Sequence, residues 1–373
     1  MSEEILNQYI PDSVSAPGET LEELLEERGM SQAEFAERTG RPKKTINEIV
    51  KGKTAITPET AIQFERVLGV PASFWIARES NYREALARAK EVVQLRAQTH
   101  WLDEVPYRAM AKRGWIAERR DRTSQLEELL RFFGVASADS WKGLWNTAAP
   151  AFRRSPSFES HPAAVAAWIR RGELEAARIA TAEYSADGFK TVLATLRSYT
   201  RSLDRNFANV ITSECASAGV CVVFVPELPG TCLWGLTRWV SPTRPLIQLS
   251  LRYKKDDHLW FTFFHEAGHI LLHGRRELFL EDELSDESKD IERNVREKEA
   301  DQFARDWLIS PSRYRVFCRL GAFSCAAANR FAYELGIAPG IVVGRLQHDG
   351  HLPRAHCNDL KRNVDFQGVS DES

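Results

Sequence analysis

Five consecutive residues, His265-Glu266-Ala267-Gly268-His269, constrain this chain more than any other segment. They fit the H-E-x-x-H pattern and lie within a run of apolar residues at helical spacing. On a helix, residues i and i+4 lie one turn apart on the same face, so both imidazoles can bind one ion. The motif therefore predicts a helix with His265 and His269 as metal ligands and Glu266 as general base for a water molecule. These ligand types favour zinc, and other divalent ions such as manganese also accept them.

A third ligand has to come from another segment. Downstream, the residues REKEADQFA at 296–304 form an amphipathic helical pattern. Glu297 and Asp301 are four residues apart and share a face with small apolar residues, so this face is expected to pack on the first helix. Glu297 is then the candidate third ligand, and Asp301 is the candidate partner that orients a ligand histidine. Glu299, which points about 200° away from Glu297, is the alternative third ligand.

Further polar residues are candidates for supporting roles. His348 and, as an alternative, His351 lie in the segment LQHDGHLP, and we expect His348 to stabilise the oxyanion formed during hydrolysis. Tyr253 and Tyr333 are alternative oxyanion donors. His273 continues the i+4 spacing and is expected to support a ligand or cap the helix rather than bind the ion.

A second motif lies near the N-terminus. Ser31 and Gly40 bound one short helical pattern, and Pro42 opens another that runs to Val50. Two helices joined by such a tight turn are typical of a helix-turn-helix, whose second helix enters the major groove of DNA. Residues 38–53 contain six basic side chains and one acidic one, on a chain of net charge -2, so one polyanion-binding surface is expected. The predicted DNA contacts are Gln32, Arg41, Lys43, Lys44, Thr45, Asn47 and Lys51.

The 373 residues exceed the usual size of one domain, and the residue pattern changes twice along the chain. We predict a mostly helical, α+β fold in three parts. Residues 1–82 form a helix-turn-helix domain, 83–205 a helical middle region with no motif of known chemistry, and 206–373 a zincin-like domain with a small antiparallel sheet. The strand near residues 234–240 is predicted to be an edge strand that binds an extended substrate.

Composition excludes several other classes of protein. With 43% hydrophobic and 27% charged residues, the chain is typical of globular proteins. It has no run of 18 apolar residues, and its acidic N-terminus is unlike a signal peptide, so no membrane partner is expected. Six cysteines without a CxxC pair predict reduced thiols and a cytoplasmic protein. These are Cys215, Cys221, Cys232, Cys318, Cys325 and Cys357.

Both motif regions resemble known families. Residues 15–90, with GMSQAEFAERTGRPKKTINEIV, resemble the Cro/C1-type helix-turn-helix of HigA-like antitoxins. Residues 200–360, with FFHEAGHILLHG and EKEADQFARDWLISP, resemble the ImmA/IrrE metallopeptidases. The second resemblance implies a gluzincin-like peptidase in which Glu266 is the general base. It also implies that His265, His269 and Glu297 bind the zinc ion.

Two functions are compatible with these resemblances. The first is a DNA-binding transcriptional regulator with a zinc-dependent endopeptidase domain that cleaves a regulatory protein such as a repressor. The second is a HigA-like antitoxin or autorepressor whose metallopeptidase-like domain senses or holds a partner, such as a cognate toxin, without proteolysis. Because one helix-turn-helix module reads only a short site, a homodimer on a double-stranded DNA operator is predicted in either case.

Overall fold

A computed structural model describes residues 14–152, 161–231, 233–273, 279–282, 291–321 and 323–364. The chain divides after Thr99 into two compact units. The first unit is helical. Its helices are α1 Pro17–Glu27, α2 Gln32–Thr39, α3 Lys43–Val50, α4 Pro58–Leu68 and α5 Ala72–Gln98.

Local capping sets the ends of the short helices in the first unit. The Ser31 hydroxyl accepts a hydrogen bond from the Glu34 amide at 3.1 Å, which begins α2. Gly40 ends α2 in the left-handed conformation, with φ 67°, so that only residues 40–42 separate α2 from α3. Apolar side chains from all five helices form one core, which leaves the polar face of α3 outside. This core includes Leu21, Leu25, Phe35, Ile46, Ile49, Phe64 and Trp75.

In the second unit, one group of helices precedes the strands of a sheet along the chain, and another group follows most of them. Among the residues that the structure describes, no helix is both long and apolar enough to cross a lipid bilayer. The helices before the sheet are α6 Tyr107–Lys112, α7 Arg122–Phe133, α8 Ala138–Phe152, α9 Pro162–Ala176, α10 Ala186–Tyr199 and α11 Phe207–Ser217. The later helices are α12 Asp256–Leu272, α13 Ile291–Leu308, α14 Pro311–Arg319, α15 Cys325–Leu335 and α16 Pro339–His348.

The sheet is mixed, not wholly antiparallel as the sequence predicted. Its strands are β1 Cys221–Phe224, β2 Leu233–Ser241, β3 Arg244–Leu249 and β4 Phe279–Asp282, in the order β1-β3-β2-β4. A tight turn joins β2 to β3 and makes that pair antiparallel, whereas the longer connection from β1 to β2 lets β1 pair in parallel with β3. The predicted mostly helical fold with a small sheet is confirmed.

The prediction that residues 234–240 form an edge strand is wrong. β4 pairs antiparallel with the outer side of β2, so that Leu236 lies opposite Leu280 and Thr237 opposite Phe279. β2 therefore has a neighbour on each side. The sequence pattern of β2 alone carries no information about a partner that lies about forty residues later in the chain, which is why the sequence analysis missed it.

The two faces of the sheet carry different helices because successive strand residues point to opposite sides. Ile247 and Leu249 of β3 join the core that also contains Phe263 of α12. On the other face, the Gln248 side-chain amide donates a hydrogen bond to the Trp168 carbonyl on α9 at 2.7 Å. The indole of Trp168 in turn donates to the carbonyl of Val225 at 2.8 Å. The sheet thus supports α12 from one side and is covered by α9 on the other.

One pair of cysteines departs from the prediction of reduced thiols. Cys325, at the start of α15, forms a disulfide with Cys357, 32 residues later. That prediction is wrong for this pair because folding brings their Cα atoms to 5.4 Å, and so long a spacing has no recognisable sequence pattern. Cys215 and Cys221 are free and buried and Cys318 is free and partly buried, whereas Cys232 lies outside the described residues.

Candidate metal centre

The facing helices α12 and α13 bring three predicted metal ligands together. His265 and His269 on α12 are each only 2% exposed. Their Nε2 atoms are 3.0 Å apart, and Glu297 Oε2 on α13 lies 3.1 Å from the first and 3.5 Å from the second. Gly268 permits this close approach, since a Cβ at that position would lie 3.1 Å from Phe303 Cδ1 and 3.3 Å from Ala300 Cα.

Hydrogen bonds on the far side of each imidazole determine which nitrogen faces the centre. A carboxylate only accepts, so His265 Nδ1 donates to Asp301 Oδ1 at 3.0 Å. For the same reason His273 Nε2 donates to Glu299 Oε2 at 3.0 Å. With the donated proton on Nε2, His273 accepts at Nδ1 a hydrogen bond from His269 Nδ1 at 2.9 Å. Both ligand histidines therefore direct an unprotonated Nε2 toward the same point.

This donor set fits a divalent cation. Two imidazole lone pairs and a carboxylate oxygen at 3.0–3.5 Å from one another repel unless a cation or a proton lies among them. In a tetrahedral zinc site with ligands at about 2.0–2.1 Å, the ligand atoms lie about 3.3 Å from each other. The separations of His265, His269 and Glu297 are therefore suited to one small metal ion.

Burial and neighbouring groups set the protonation states of these ligands. Burial lowers the pKa of His269 to about 4, although the nearby Glu297 carboxylate acts in the opposite direction. Burial by itself raises the pKa of Glu297, but its contacts with His265 and His269 outweigh that effect and hold this pKa below its usual value. The centre therefore offers a neutral imidazole and an ionised carboxylate, the forms that bind metals.

Glu266, the predicted general base, lies beside the ligands and is fully buried. Its carboxylate lies against the backbone of β2 at Gly235, where any Cβ would overlap Glu266 Oε1. The Thr237 hydroxyl of the same strand donates to the Glu266 carbonyl at 2.9 Å. β2 thus holds this part of α12 through the Glu266 carbonyl, and Gly235 leaves room for the Glu266 carboxylate.

Gly235 and Arg305 were not among the residues predicted from the sequence. A glycine inside a strand pattern often marks close backbone approach, so Gly235 carried a readable signal. Arg305 lies one turn after Asp301 on α13, with its Nη2 3.5 Å from Asp301 Oδ2 and 3.3 Å from His348 Nε2. Nothing in the sequence indicates that α16 ends beside Arg305.

His348 contacts the ligands through other residues. Its side chain is 62% exposed. Because an arginine only donates, His348 Nε2 accepts from Arg305, and His348 Nδ1 donates to Asp349 at 3.1 Å. The connection from His348 to the centre thus runs through Arg305 and Asp301 to His265.

The alternative candidates make contacts of other kinds. Glu299 accepts a hydrogen bond from His273. His273 in turn contacts His269, so Glu299 is linked to the centre only through His273. His351 stacks on Phe323 with ring centroids 4.6 Å apart. Tyr333 is 73% exposed beside Arg201, and Tyr253 stacks on His258.

In the first unit, the predicted DNA contacts on and around α3 differ in how exposed their side chains are. Lys43, Lys44 and Lys51 are exposed, and the Lys44 side chain is 86% exposed. Thr45 and Asn47, on the same helix, and Gln32, at the start of α2, are half-buried. Arg41 donates from Nε to Gln63 Oε1 on α4 at 2.6 Å, which fixes its guanidinium near the start of α3.

Two family models match the chain: a helix-turn-helix model over residues 21–75 and a model of the IrrE N-terminal-like domain over residues 222–316. The uncharacterized HTH-type transcriptional regulator YddM of Escherichia coli (strain K12) is 32% identical over 79 residues, which are 21% of this chain and 82% of that protein. Virulence-associated protein A of Dichelobacter nodosus is 38% identical over 65 residues, 17% of this chain and 62% of that protein.

Solved structures similar to part of the chain include two antitoxins. An addiction module antidote protein of the HigA family from Coxiella burnetii is 27% identical, with a TM-score of 0.21. The matched region is 23% of this chain and 94% of the Coxiella burnetii chain. The Pseudomonas aeruginosa antitoxin HigA with the higBA promoter is 32% identical with a TM-score of 0.21, and covers 22% of this chain and 90% of its own. All three candidate metal ligands lie within the IrrE-like match. The chain belongs to the helix-turn-helix transcriptional regulators of Cro/C1 type and carries an IrrE N-terminal-like domain in the same polypeptide.

Proposed function

We propose that this DNA-binding regulator is also a zinc-dependent endopeptidase that cleaves a regulatory protein such as a repressor. One observation carries the proposal: two imidazole nitrogens and a carboxylate oxygen lie 3.0–3.5 Å apart beside the buried Glu266. The match of a peptidase-family model to residues 222–316 supports it. The proposed domains are residues 1–82, 83–205 and 206–373.

The residues of the chain divide the hydrolytic work. A bound zinc ion supplies an acidified water and polarises the peptide carbonyl. Glu266 accepts the proton of the attacking water and passes it to the amine that leaves. Asp301 holds the His265 ring in the orientation that directs Nε2 at the centre. Gly235 leaves space for the Glu266 carboxylate, so the base stays in position.

Arg305 and His348 are the proposed groups for the negative charge that develops on the carbonyl oxygen. Arg305 carries a permanent positive charge one helical turn from Asp301. His348 accepts from Arg305, so it donates to a substrate only after it is protonated or after this contact breaks. We therefore expect Arg305→Met to lower the turnover rate more than His348→Phe does, in a single-turnover cleavage assay.

The DNA-binding half acts, in this proposal, as a homodimer in the cytoplasm. The exposed Lys43 and Lys44 place positive charge at the N-terminal end of α3, the end that faces DNA in a helix-turn-helix. Two such helices in a dimer would read a palindromic operator. Disulfides are rare in the cytoplasm, so Cys325–Cys357 would be an exception there, and the location rests on the DNA-binding domain.

A cleavage assay tests the proposal directly. Regulators encoded next to this gene are incubated with zinc-loaded full-length protein, with its Glu266→Gln variant and with Glu334→Gln as a matched control on the exposed face of α15. We expect cleavage by wild type and Glu334→Gln, and none by Glu266→Gln although it still binds metal and DNA. Cleavage by Glu266→Gln at the wild-type rate would refute the mechanism.

A second candidate is an autorepressor, with or without a bound toxin, whose metal domain holds a partner without cutting it. The 79 matched residues make up 82% of a regulator that is named for its helix-turn-helix. That similarity concerns DNA binding alone, which favours this candidate. A promoter-reporter strain separates the candidates. Under this alternative, Glu266→Gln leaves the reporter response unchanged, whereas Lys43→Ala with Lys44→Ala removes it.

A further inference from the structure

The disulfide between Cys325 and Cys357 attaches the segment that follows α16 to the start of α15. Cys325 is the first residue of α15 and is exposed, whereas Cys357 is only 7% exposed. Cys357 begins residues 357–364, a segment that we call the strap. The disulfide joins residues 32 positions apart, and the loop that it closes contains the whole of α16.

The other end of the strap lies on the first turn of α12. The Val364 amide donates a hydrogen bond to the Lys254 carbonyl at 3.0 Å. The Arg362 amide donates to Asp256 Oδ1, and the Asp256 amide donates to the Arg362 carbonyl, each at 3.0 Å. The strap is therefore fixed by a covalent bond at one end and by hydrogen bonds at the other.

The middle of the strap neutralises a buried charge on α12. Lys361 Nζ lies 2.6 Å from Asp257 Oδ2, and these side chains are 9% and 7% exposed. The neighbouring Asp256 is fully buried. Without the strap, both carboxylates would lose a donor, and water would reach the first turn of the helix. The strap thus covers the start of the helix that carries His265 and His269.

The DNA-binding function of the chain gives this disulfide an unusual setting. In the compartment that holds DNA, glutathione and thioredoxin keep most thiols reduced. Disulfides that do occur there are usually transient, and they are either catalytic or redox-sensing. Cys325 and Cys357 lack the C-x-x-C spacing of disulfide oxidoreductases. The setting therefore favours a redox-sensing role.

Two local features suit this disulfide to reversible reduction. Cys325 is exposed at the first position of a helix, where a small thiol can approach and where the helix dipole stabilises a thiolate. Cys357 has a left-handed backbone, with φ 59°, which is unfavourable for a residue with a Cβ and persists only while its surroundings hold it. Reduction removes one of the bonds that hold Cys357, so the first residue of the strap can relax.

We propose that Cys325 and Cys357 form a redox switch, which locks the strap on α12 when it is oxidised and releases the strap when it is reduced. The switch does not depend on the proposed peptidase activity. It controls how firmly the start of the helix with both candidate ligand histidines is held.

Glutathione, a low-molecular-weight thiol, reduces the pair by two exchanges. One glutathione thiolate attacks the exposed Cys325 sulfur, the protein S–S bond breaks, and Cys357 leaves as a thiolate that takes up a proton. A second glutathione thiolate attacks the mixed disulfide, so that Cys325 leaves as a thiolate and is protonated, and oxidised glutathione is released. Two electrons thus pass from two glutathione molecules to the two cysteines, and oxidation by oxidised glutathione is the reverse sequence.

The redox equilibrium is the first measurement. Full-length protein is equilibrated in buffers whose ratio of reduced to oxidised glutathione runs from cytoplasmic to periplasmic values. Free thiols are then alkylated, and mass spectrometry gives the oxidised fraction of Cys325 and Cys357. We expect both cysteines to change together from mostly reduced to mostly oxidised within this range. A pair that stays oxidised throughout is a purely structural disulfide, and a pair that stays reduced is no disulfide at all; either result overturns the switch.

Hydrogen exchange then tests release of the strap. The amides of residues 254–259 and 357–364 are compared in oxidised wild-type protein and in protein reduced with a phosphine. Loss of the bond that closes the loop should raise exchange in both segments by at least about 10-fold. Trypsin should also cut after Lys361 and Arg362 faster in the reduced protein. Equal exchange and equal cleavage in the two forms would show that the strap is not released.

Three variants separate the switch from a general loss of structure. Cys325→Ser and Cys357→Ser should behave as reduced wild type in every buffer, whereas the matched control Cys318→Ser, which removes a free thiol, should keep the full response. If Cys357→Ser does not fold, as judged by circular dichroism, the exposed Cys325→Ser carries the test. We expect the increase in exchange to be confined to the strap and the start of α12. An equal increase throughout the second unit would overturn the switch, whatever the cleavage assay of the proposed peptidase shows.

Discussion

Asp301 accepts a hydrogen bond from His265 Nδ1 at 3.0 Å, on the edge of the ring opposite the nitrogen that faces Glu297. This contact fixes both the tautomer and the orientation of the imidazole. It links a predicted ligand to a predicted supporting residue across two helices, and several tests of the centre start from it.

Removal of this support should weaken metal binding without removing a ligand. Asp301→Ala leaves the His265 ring free to rotate and to carry its proton on either nitrogen, so zinc affinity should fall by about 10- to 100-fold. Competition with a fluorescent chelator measures the change. Asp306→Ala, on the same helix but bonded to Gln302, is the matched control and should bind as wild type. Equal affinities for all three proteins would contradict the supporting role.

The two carboxylates of α13 should differ in their effect on the metal. Glu297→Ala removes a ligand, so we expect zinc affinity to fall more than 100-fold. That is a loss of about 3 kcal/mol or more of binding free energy. Glu299→Ala removes only the partner of His273, so the loss should be about 10-fold or less. Isothermal titration with zinc compares them. The reverse order would make Glu299 the third ligand.

A methyl group at Gly235 should disturb the general base but not the ligands. Gly235→Ala forces the Glu266 carboxylate to move, because the added Cβ overlaps Oε1. A displacement of about 1 Å costs about 100-fold in rate, so cleavage should slow by that order while zinc affinity stays the same. Gly143→Ala, where a Cβ meets nothing within 4 Å, is the control. A Gly235→Ala protein with full activity would show that the strand does not position the base.

Asp256 should make stability depend on pH. Burial, and next the charge of Asp257, raise the pKa of Asp256 from 3.8 to about 6 in the folded chain. Between these pH values the folded state binds more protons than the unfolded state, so this group's contribution to stability falls as pH rises from about 4 to 6.

Asp256→Asn keeps an acceptor for the Arg362 amide and removes the charge. We expect it to raise the free energy of unfolding by about 1–3 kcal/mol at pH 7.5 and to have little effect at pH 4. Urea titrations followed by tryptophan fluorescence at both pH values give the comparison. A difference from wild type that does not change with pH would argue against a raised pKa.

The basic end of α3 should govern DNA affinity through phosphate contacts. Replacing both Lys43 and Lys44 by alanine should weaken binding to the chain's own promoter and reduce the slope of log affinity against log salt by about 2. Fluorescence anisotropy at several salt concentrations measures both quantities. Lys190→Ala, an exposed lysine of α10, should bind as wild type. An unchanged salt slope in the double variant would place the DNA surface elsewhere.

Features that depend on neighbouring residues were predicted well. The limits of α2 follow from Ser31 and Gly40, because a cap and a left-handed glycine act within one turn. The shared face of Glu297 and Asp301 follows from helical periodicity alone. By contrast, the edge position assigned to β2 and the reduced state assigned to Cys325 were wrong, since both depend on partners far away in the chain.

The amino-acid sequence by itself determined two helix faces, one with His265 and His269 and one with Glu297 and Asp301, together with the basic face of α3. The helix has a fixed period, so spacing along the chain dictates which side chains share a side. Only the tertiary structure decided that the histidine face meets the acidic face. It also decided that Gly235 lies over Glu266 and that an apolar recess remains near Ile341. These contacts join segments tens of residues apart, and such segments are brought together by the packing of the whole core, which no local pattern encodes.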